Sequence, residues 1–522
     1  MKVVSSHTMQ ELDRRAINER QIPGLLLMER AGQQCTGEII AEFGVTGSAV
    51  VLAGKGNNGG DGYVIARLLR QRGVKVQVLL LADRREITGD AASCLDRLPA
   101  AMVESCTDER LLVSRYGDVI DRADYLVDAL FGTGLRGEVS GIHRAAINCM
   151  NGSGRPIIAV DIPSGVSGSS GAILGVAVKA TVTVTFALAK LGHILYPGAE
   201  QVGRLVVADI GIPADLMQGA DGVEFLTAGQ MAPLVRQRER QTHKGSFGHC
   251  LVLAGSTGKS GAASLTANSA VRSGSGLVTV AVPEALHGIM ELKTTEAMTV
   301  PLPDGGAGHL VEQAVSMIEQ LLPGKGVVAL GPGLGQHPET QRLVRTLVET
   351  VTSPLVVDAD GLNAIAQDMP VLLRKKTGQL VVTPHPGEMA RLLGSPLPEL
   401  VSDRIEVARS FANTHELFLI LKGARTIIAA PDGRVALNGS GNPGMASGGM
   451  GDVLTGIVAS LLGQGYPAWD ACRLGVFLHG YAADIVARSK GEIGITATDV
   501  LEQIPYAYYT LVHKEKIYVN GC

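Results

Sequence analysis

Short apolar runs recur along this chain, many of them ending in turns with glycine or aspartate and most of them separated by stretches of helical spacing. In the first half the runs are 49–53, 76–81, 125–128, 157–161, 182–186 and 205–208. In the second they are 249–254, 277–282, 327–330, 355–358, 380–383, 418–421 and 426–429. Apolar strands that do not alternate, and that are separated by helices, belong to parallel sheets covered on both faces. Ahead of the first run, 8–43 has helical spacing throughout. Around 210–245 the periodicity fades and the charged run RQRERQTHKG intervenes. A chain of 522 residues is too long for one core, so two α/β domains are expected. The boundaries fall at 1–225 for the first domain, 226–243 for a linker, 244–510 for the second domain and 511–522 for a tail.

Composition narrows the function. Apolar residues make up 46% and charged residues 18%, which gives ample core for a globular protein. The net charge is −4 and no dense Lys/Arg block occurs, which argues against nucleic acid or an anionic membrane as partner. The seven cysteines, at 35, 94, 106, 149, 250, 472 and 522, are odd in number and contain no C-x-x-C. Neither a zinc ribbon nor a disulfide framework is indicated, and reduced thiols are expected. No secretory h-region and no apolar run of about 18 residues is present, so a cytoplasmic protein is expected.

The first glycine turn, GKGNNGGDG at 54–62, formally matches G-x-G-x-x-G between a strand and a helix. A bare backbone turn does not need NNGGD. Asn57, Asn58 and Asp61 supply oxygens for a cation or a polar substrate, while the glycines let the chain approach it. Two more oxygen-bearing turns end strands, DALFGTG at 128–134 and DIPSG at 161–165. Ligands of open α/β sheets bind at the carboxyl ends of strands, so Asn58, Asp128 and Ser164 can meet around one hard cation. The competing reading is that each aspartate caps the next helix.

The blocks LDRRAI, LLLMERAG, GKGNNGGDGYVIAR, DALFGTGL, DIPSG and TVTFALAKLGH, in that order over about 5–215, resemble the YjeF N-terminal family of NAD(P)H-hydrate epimerases. The resemblance implies a Rossmann-like three-layer α/β/α domain and a potassium ion held by Asn58, Asp128 and Ser164. It also implies a substrate pocket from Asn57, Asn58, Gly59, Gly60 and Asp61, from Gly132, Thr133, Gly134, Leu135, Arg136, Gly137 and Glu138, and from Asp161. Asp161 is the expected acid/base, because epimerisation at a hydrated carbon needs a proton donor and acceptor beside the hydroxyl.

In the second domain, GSTGKSG at 255–261 fails the P-loop spacing, since Leu253 stands where the first glycine is required. Lys259-Ser260 is read as a turn near ligand. GPGLG, DADGLN, TPHPGE and LKGART each follow a predicted strand end. His385, between two prolines, reads as a site residue and Lys422 as a phosphate contact. Asp358 and Asp360 read as paired carboxylates or helix caps. GGMGD at 448–452 is the most specific element. Successive N–H groups at a helix start bind an anion, and the carboxylate of Asp452 beside them can take a proton from an attacking hydroxyl.

From HKGSFGHCLVLAGS through SGAASLTANSAVRSGSGLVTVAVP, GPGLG, VVDADGLNAIA, VTPHPGEMARLLG and LKGARTIIA to NGSGNPGMASGGMGDVLTG, the chain resembles the YjeF C-terminal family over about 243–505. That family comprises the ADP- or ATP-dependent NAD(P)H-hydrate dehydratases. The resemblance implies a ribokinase-like α/β fold and a hydrate contacted by Ala262, Gly333, His385 and Asp452. The nucleotide, with Mg2+, would lie along Lys422, Gly423, Ala424, Arg425, Thr426 and Gly451. The expected activity is repair of the NADH and NADPH hydrates. The first domain would interconvert R and S epimers, and the second would dehydrate the S epimer with release of phosphate and AMP or ADP. The alternatives are a vitamin-precursor kinase fused to a binding domain and a non-catalytic nucleotide sensor. A homo-oligomer is expected, and the apolar N-terminal helices suit either a subunit interface or a domain contact.

Overall fold

The computed structural model describes residues 1–396 and 403–513, so most of the expected tail lies outside the described residues. The chain divides into two compact units, Lys2–Val223 and the residues from Glu224 onward. No helix among the described residues is long and apolar enough to cross a membrane.

The first unit is built on a seven-stranded parallel sheet. Its strands are β2 (Ser48–Ala53), β3 (Lys75–Leu80), β4 (Val103–Ser105), β5 (Tyr125–Ala129), β6 (Ile157–Val160), β7 (Val182–Phe186) and β9 (Arg204–Ala208). Their spatial order is β4-β3-β2-β5-β6-β7-β9. A short pair, β1 (Lys2–Val4) and β8 (Ala189–Lys190), sets Val4 opposite Lys190. Successive side chains along each strand point to opposite faces, and here both faces are core. Val51 and Val127 pack with the helices Ser6–Asn18, Gly24–Phe43 and Asn57–Gln71 on one side. Leu52 and Leu126 pack with Ile147 and Met150 of the helix Gly141–Gly152 on the other. That double burial is why the strands read as unbroken apolar runs. The helical stretch expected at 8–43 is two helices. Gln21 has φ 56 and Pro23 precedes the second helix, which interrupts the ladder where periodicity alone ran through.

The second unit contains β10 (Val223–Leu226), β11 (His249–Leu253), β12 (Leu277–Pro283), β13 (Met298–Leu302), β14 (Val327–Leu330), β15 (Leu355–Val357), β16 (Leu380–Val382), β17 (Phe418–Leu421), β18 (Ile427–Ala429) and β19 (Val435–Asn438). Their order is β13-β12-β11-β14-β15-β16-β17-β18-β19-β10, with antiparallel pairing only at β17-β18 and β18-β19. The stretch expected as a linker, 226–243, folds onto this unit. Met231 is in its core, and the guanidinium groups of Arg236 and Arg238 lie 4.1 and 3.8 Å from the ring centres of Tyr466 and Phe247.

Both sheets have one point where the chain, having built outward in one direction, returns to build in the other. It lies between β2 and β5 in the first unit and between β11 and β14 in the second. The connections diverge there and leave a crevice at the carboxyl ends of the strands, the usual ligand position of open α/β sheets.

Candidate active sites

In the first unit that crevice is a cleft of about 790 Å³. Asn57, Asn58 and Asp61 line it from the turn after β2, and Gly132, Thr133, Gly134 and Leu135 from the turn after β5. Asp161, just past β6, completes the wall with Lys190, Asp13 and Phe186. The strand expected to include Asp161 ends at Val160, and Asp161 has φ 67, a left-handed conformation that costs a non-glycine residue energy. The neighbouring hydrogen bonds hold it there. Its N–H donates to Val184 O (2.8 Å) and its carbonyl accepts from His193 Nε2 (2.9 Å). His193 Nδ1 accepts from the Lys190 N–H at 3.0 Å, which fixes the proton on Nε2. Burial lowers the His193 pKa to about 4, so the ring is neutral.

Lys190 is buried and spends all three protons inside the protein. Its Nζ donates to Asp161 Oδ1 (2.6 Å), Thr185 Oγ1 (2.8 Å) and Phe186 O (3.1 Å). Burial alone would raise the Asp161 pKa, but the charge and hydrogen bond of Lys190 outweigh it and hold the carboxyl below the usual range. Oδ1 is thereby anchored, while Oδ2 lies beside Gly132, 3.3 Å from where a β-carbon on that glycine would stand. Burial, followed by the charge of Asp161, pushes Asp61 well above the ordinary carboxylate range, and burial brings Asp13 to about 6. The cleft therefore combines one ionised carboxylate with acids that hold their protons more tightly.

Asn58, Asp128 and Ser164 sit around the turn after β5. Ser164 donates from Oγ to Asp128 Oδ1 (2.6 Å) and from N–H to Oδ2 (2.7 Å), and Ser164 Oγ accepts from the Phe131 N–H (2.9 Å). Asn58 Oδ1 lies near Gly132, and both polar atoms of its amide are buried without a partner among the described residues. Among the described residues, no group of three or more His, Cys, Asp or Glu is arranged for a metal. An orphaned amide oxygen, a hydroxyl and a buried carboxylate are hard donors, and they fit a weakly binding cation such as potassium.

Not every residue expected in this pocket lines it. Gly59 and Gly60 are packing positions. A β-carbon on Gly59 would stand 2.0 Å from Gly54 O, and one on Gly60 would stand 2.6 Å from Met28 Sδ. Arg136, Gly137 and Glu138 are exposed and outside the cleft wall. Conversely, Lys190, His193 and Asp13 had no assigned role.

In the second unit the crevice joins the turns after β11 and β14. Gly255 N–H donates to Pro332 O (2.8 Å) and Ser256 Oγ to Gly333 O (2.8 Å). A β-carbon on Gly333 would be 2.9 Å from that of Ala262, so these two expected contacts are neighbours. Lys259 is a turn lysine as expected, and its Nζ pairs with Asp360 Oδ2 at 2.9 Å. Asp360 Oδ2 also accepts from the Gly335 N–H (2.8 Å). Helix capping does not explain either aspartate of DADGLN, because the helix Asp360–Ala366 starts from Ala359 with no side-chain cap. Asp358 is fully engaged elsewhere. Its Oδ1 accepts from Lys422 Nζ (2.7 Å) and its Oδ2 from Thr455 Oγ1 (2.8 Å).

Lys422 is therefore ion-paired, with Glu388 Oε2 a further 3.9 Å away. Burial opposes its charge, yet Asp358 and Glu388 raise its pKa. Gly451 abuts this pair, and a β-carbon there would be 3.2 Å from Lys422 Nζ. His385 joins the same wall, since its N–H donates to Glu388 Oε2 (2.8 Å). Its Nδ1 accepts from the N–H groups of Gly387 and Glu388, capping the helix Pro386–Leu393 and leaving Nε2 as the proton-bearing nitrogen.

The helix Met450–Gly463 begins at Gly449, φ 87, with no side-chain cap, so its first N–H groups remain available to an anion. Asp452 lies in that first turn. Burial, then the charge of Asp358, raises its pKa to about 6 against the pull of Lys422. The arrangement offers a base near neutrality, a cation and an anion-binding helix start within one crevice.

Residues 250–506 match the family described as NAD(P)H-hydrate dehydratase, and residues 24–192 match the family described as YjeF-related protein N-terminus. The chain is 44% identical to the bifunctional NAD(P)H-hydrate repair enzyme Nnr of Moorella thermoacetica, across 98% of this chain and 97% of that one. It is 39% identical to the enzyme of the same name from Thermofilum pendens, again across 98% and 97%. Among solved structures, the ADP/ATP-dependent NAD(P)H-hydrate dehydratase from Bacillus subtilis, co-crystallised with ATP/Mg2+, is 29% identical with a TM-score of 0.49. That match covers 55% of this chain and 99% of that one.

Proposed function

The chain belongs to the family of bifunctional NAD(P)H-hydrate repair enzymes, and from that premise we propose how its two sites divide the work. The first unit interconverts the R and S hydrates of NADH and NADPH. The second dehydrates the S hydrate at the expense of ADP or ATP. The observation that carries this reading is that each unit sets a carboxylate in surroundings suited to different proton chemistry, Asp161 just past β6 in the first and Asp452 beside Asp358 and Lys422 in the second.

In the first unit Asp161 is the acid/base. Asp61, which holds its proton, gives it to the ring hydroxyl as that leaves as water and the ring nitrogen's lone pair forms the iminium, and the free Oδ2 of Asp161 takes a proton from the water as it re-adds on the other face. Lys190 keeps Asp161 ionised and fixed, and Asn57, Asp61 and the turn 132–135 orient the ring. Asn58, Asp128 and Ser164 would hold a potassium ion, which when bound supplies positive charge beneath that turn.

In the second unit Asp452 takes the proton of the ring hydroxyl as its oxygen attacks the terminal phosphorus of the nucleotide. The N–H groups at the start of Met450–Gly463, with Lys422, steady the transferred phosphoryl group. The ring nitrogen's lone pair then expels phosphate, and loss of the neighbouring ring proton restores the dihydronicotinamide. Ala262, Gly333 and His385 contact the hydrate, and Lys422 to Thr426 with Gly451 contact the nucleotide, which brings Mg2+ as its complex. Released products are phosphate and AMP or ADP.

The six described cysteines are free thiols, which supports a reducing, cytoplasmic setting. Assembly as a homo-oligomer is part of the same reading, and sedimentation tests it. The activity is tested by mixing the protein with NADH hydrate and ADP or ATP and following the near-ultraviolet absorbance of reduced nicotinamide. Recovery with release of free phosphate is expected. A stable phosphorylated product would make the second unit a kinase, and binding without turnover would make it a sensor.

A further inference from the structure

Arg404 opens the helix Arg404–Thr414 and reaches the loop that follows β17. Its Nη2 donates to Lys422 O (3.3 Å) and its Nη1 to Ala424 O (3.2 Å). Burial lowers its pKa, no described carboxylate pairs with it, and its Nε is buried without an acceptor among the described residues. A buried guanidinium held by two backbone carbonyls, with no anion among the described residues, is costly, so its presence at this loop calls for an account.

The loop is shaped around it. Gly423 has φ 141, and a β-carbon there would stand 3.0 Å from Arg404 Nη2. Arg425 takes φ 57, which strains a non-glycine residue. The carbonyl between these two gripped ones, Gly423 O, accepts from Thr426 Oγ1 (3.0 Å). Three successive carbonyls are thus consumed by side chains of the protein. In a planar trans peptide the N–H points away from its carbonyl. The N–H groups of Gly423 and Ala424, opposite the carbonyls of Lys422 and Gly423, donate to nothing among the described residues. Successive free N–H groups in a turn form an anion-binding concavity, and this one adjoins Lys422.

We propose that Arg404 is a positioning residue of the dehydration reaction: by gripping the carbonyls of Lys422 and Ala424 it turns the backbone N–H groups of the loop toward the phosphates of the nucleotide. Arg404 itself does not touch the reacting atoms. The inference rests on the reading of 422–426 as the nucleotide loop.

The test compares wild type, Arg404→Lys, Arg404→Met and Gly423→Ala for calorimetric affinity toward ADP and adenosine, and for the KM values of nucleotide and NADH hydrate. Arg404→Met raises the ADP Kd and the nucleotide KM about tenfold, the scale of a lost hydrogen-bond anchor. It leaves the adenosine affinity and the hydrate KM within about twofold. Arg404→Lys falls between, because an ammonium cannot bridge two carbonyls as a planar fork does. Gly423→Ala acts in the same direction, and the double variant Arg404→Met with Gly423→Ala is no weaker than the worse single one, since both unseat one contact. Unchanged ADP affinity, equal losses for adenosine and ADP, or additive losses in the double variant would overturn the proposal. A wild type that fails to bind ADP would instead strike the nucleotide reading itself.

Discussion

Just past β6 in the first unit, the carboxylate of Asp161 is bound to a lysine whose three protons all stay inside the protein. In the second unit, Asp452 stands in the uncapped first turn of a helix, and the nearby lysine is bound to a different acid, Asp358. Both sites set an acid near a buried lysine. Direct pairing pulls the Asp161 pKa down, whereas burial and a neighbouring acid bring the Asp452 pKa up to about 6. The first arrangement suits a group that must exchange a proton reversibly and stay fixed. The second suits a base that removes a proton while phosphorus is attacked. Fold and position alone do not set the chemistry; the partner given to the lysine does.

The sharpest break in the comparison is chemical. Asp452→Asn is expected to lower nucleotide-dependent dehydration roughly a thousandfold, the scale of a lost general base, while epimer exchange measured by chiral chromatography stays at the wild-type rate. Equal losses of both activities would mean that the sites are not separate.

Next comes the buried pair. Lys190→Met leaves Asp161 enclosed without its counter-charge and is expected to cost about 3–5 kcal/mol, read from chemical denaturation of the first unit. Because the folded pKa of Asp161 is depressed, its stabilising contribution is present above the unfolded carboxylate pKa and lost as pH falls through the folded one. The Lys190→Met penalty should therefore shrink in acid. A penalty that does not change with pH would detach Lys190 from Asp161.

A smaller effect separates packing from chemistry in the second unit. A β-carbon on Gly456 would lie 1.9 Å from Ser269 Oγ and 2.3 Å from Thr266 O. Gly456→Ala is expected to destabilise the helix carrying Asp452 by about 1–3 kcal/mol, measured by thermal melting.

The gentlest test is pH. Dehydration should fall about tenfold per pH unit below about 6, as Asp452 takes up its proton. Epimerisation should hold its rate to lower pH, because Asp161 stays ionised there. Coincident profiles would erase the distinction between the two carboxylates.

The strands and the turns that end them were legible, because double burial writes an apolar run and a ligand-facing turn writes glycines with an oxygen donor. Asn58, Asp161 and Lys422 follow from that signal, and Asp452 from the glycine-rich helix start. Lys190 did not, although a lone lysine in FALAKLGH was a visible anomaly. Its burial is completed by β1, where Val4 lies opposite it after more than a hundred and eighty intervening residues, and no local pattern carries such a pairing. Arg404 was hidden for a similar reason, since its partners are carbonyls of a later loop. The glycines of NNGGD were read as one ligand surface, yet Gly59 and Gly60 face Gly54 and Met28, because a helix that starts at Asn57 turns successive residues to different sides.

The division of labour is tested most directly by presenting an equal mixture of R and S NADH hydrate, with nucleotide, to wild type and to Asp161→Asn. The account predicts prompt recovery of the whole mixture by the wild type. It predicts that the variant stops at about half, with the R hydrate left over and the S hydrate consumed at the wild-type rate. Complete and equally fast recovery by Asp161→Asn would contradict the assignment of epimerisation to the Asp161–Lys190 site.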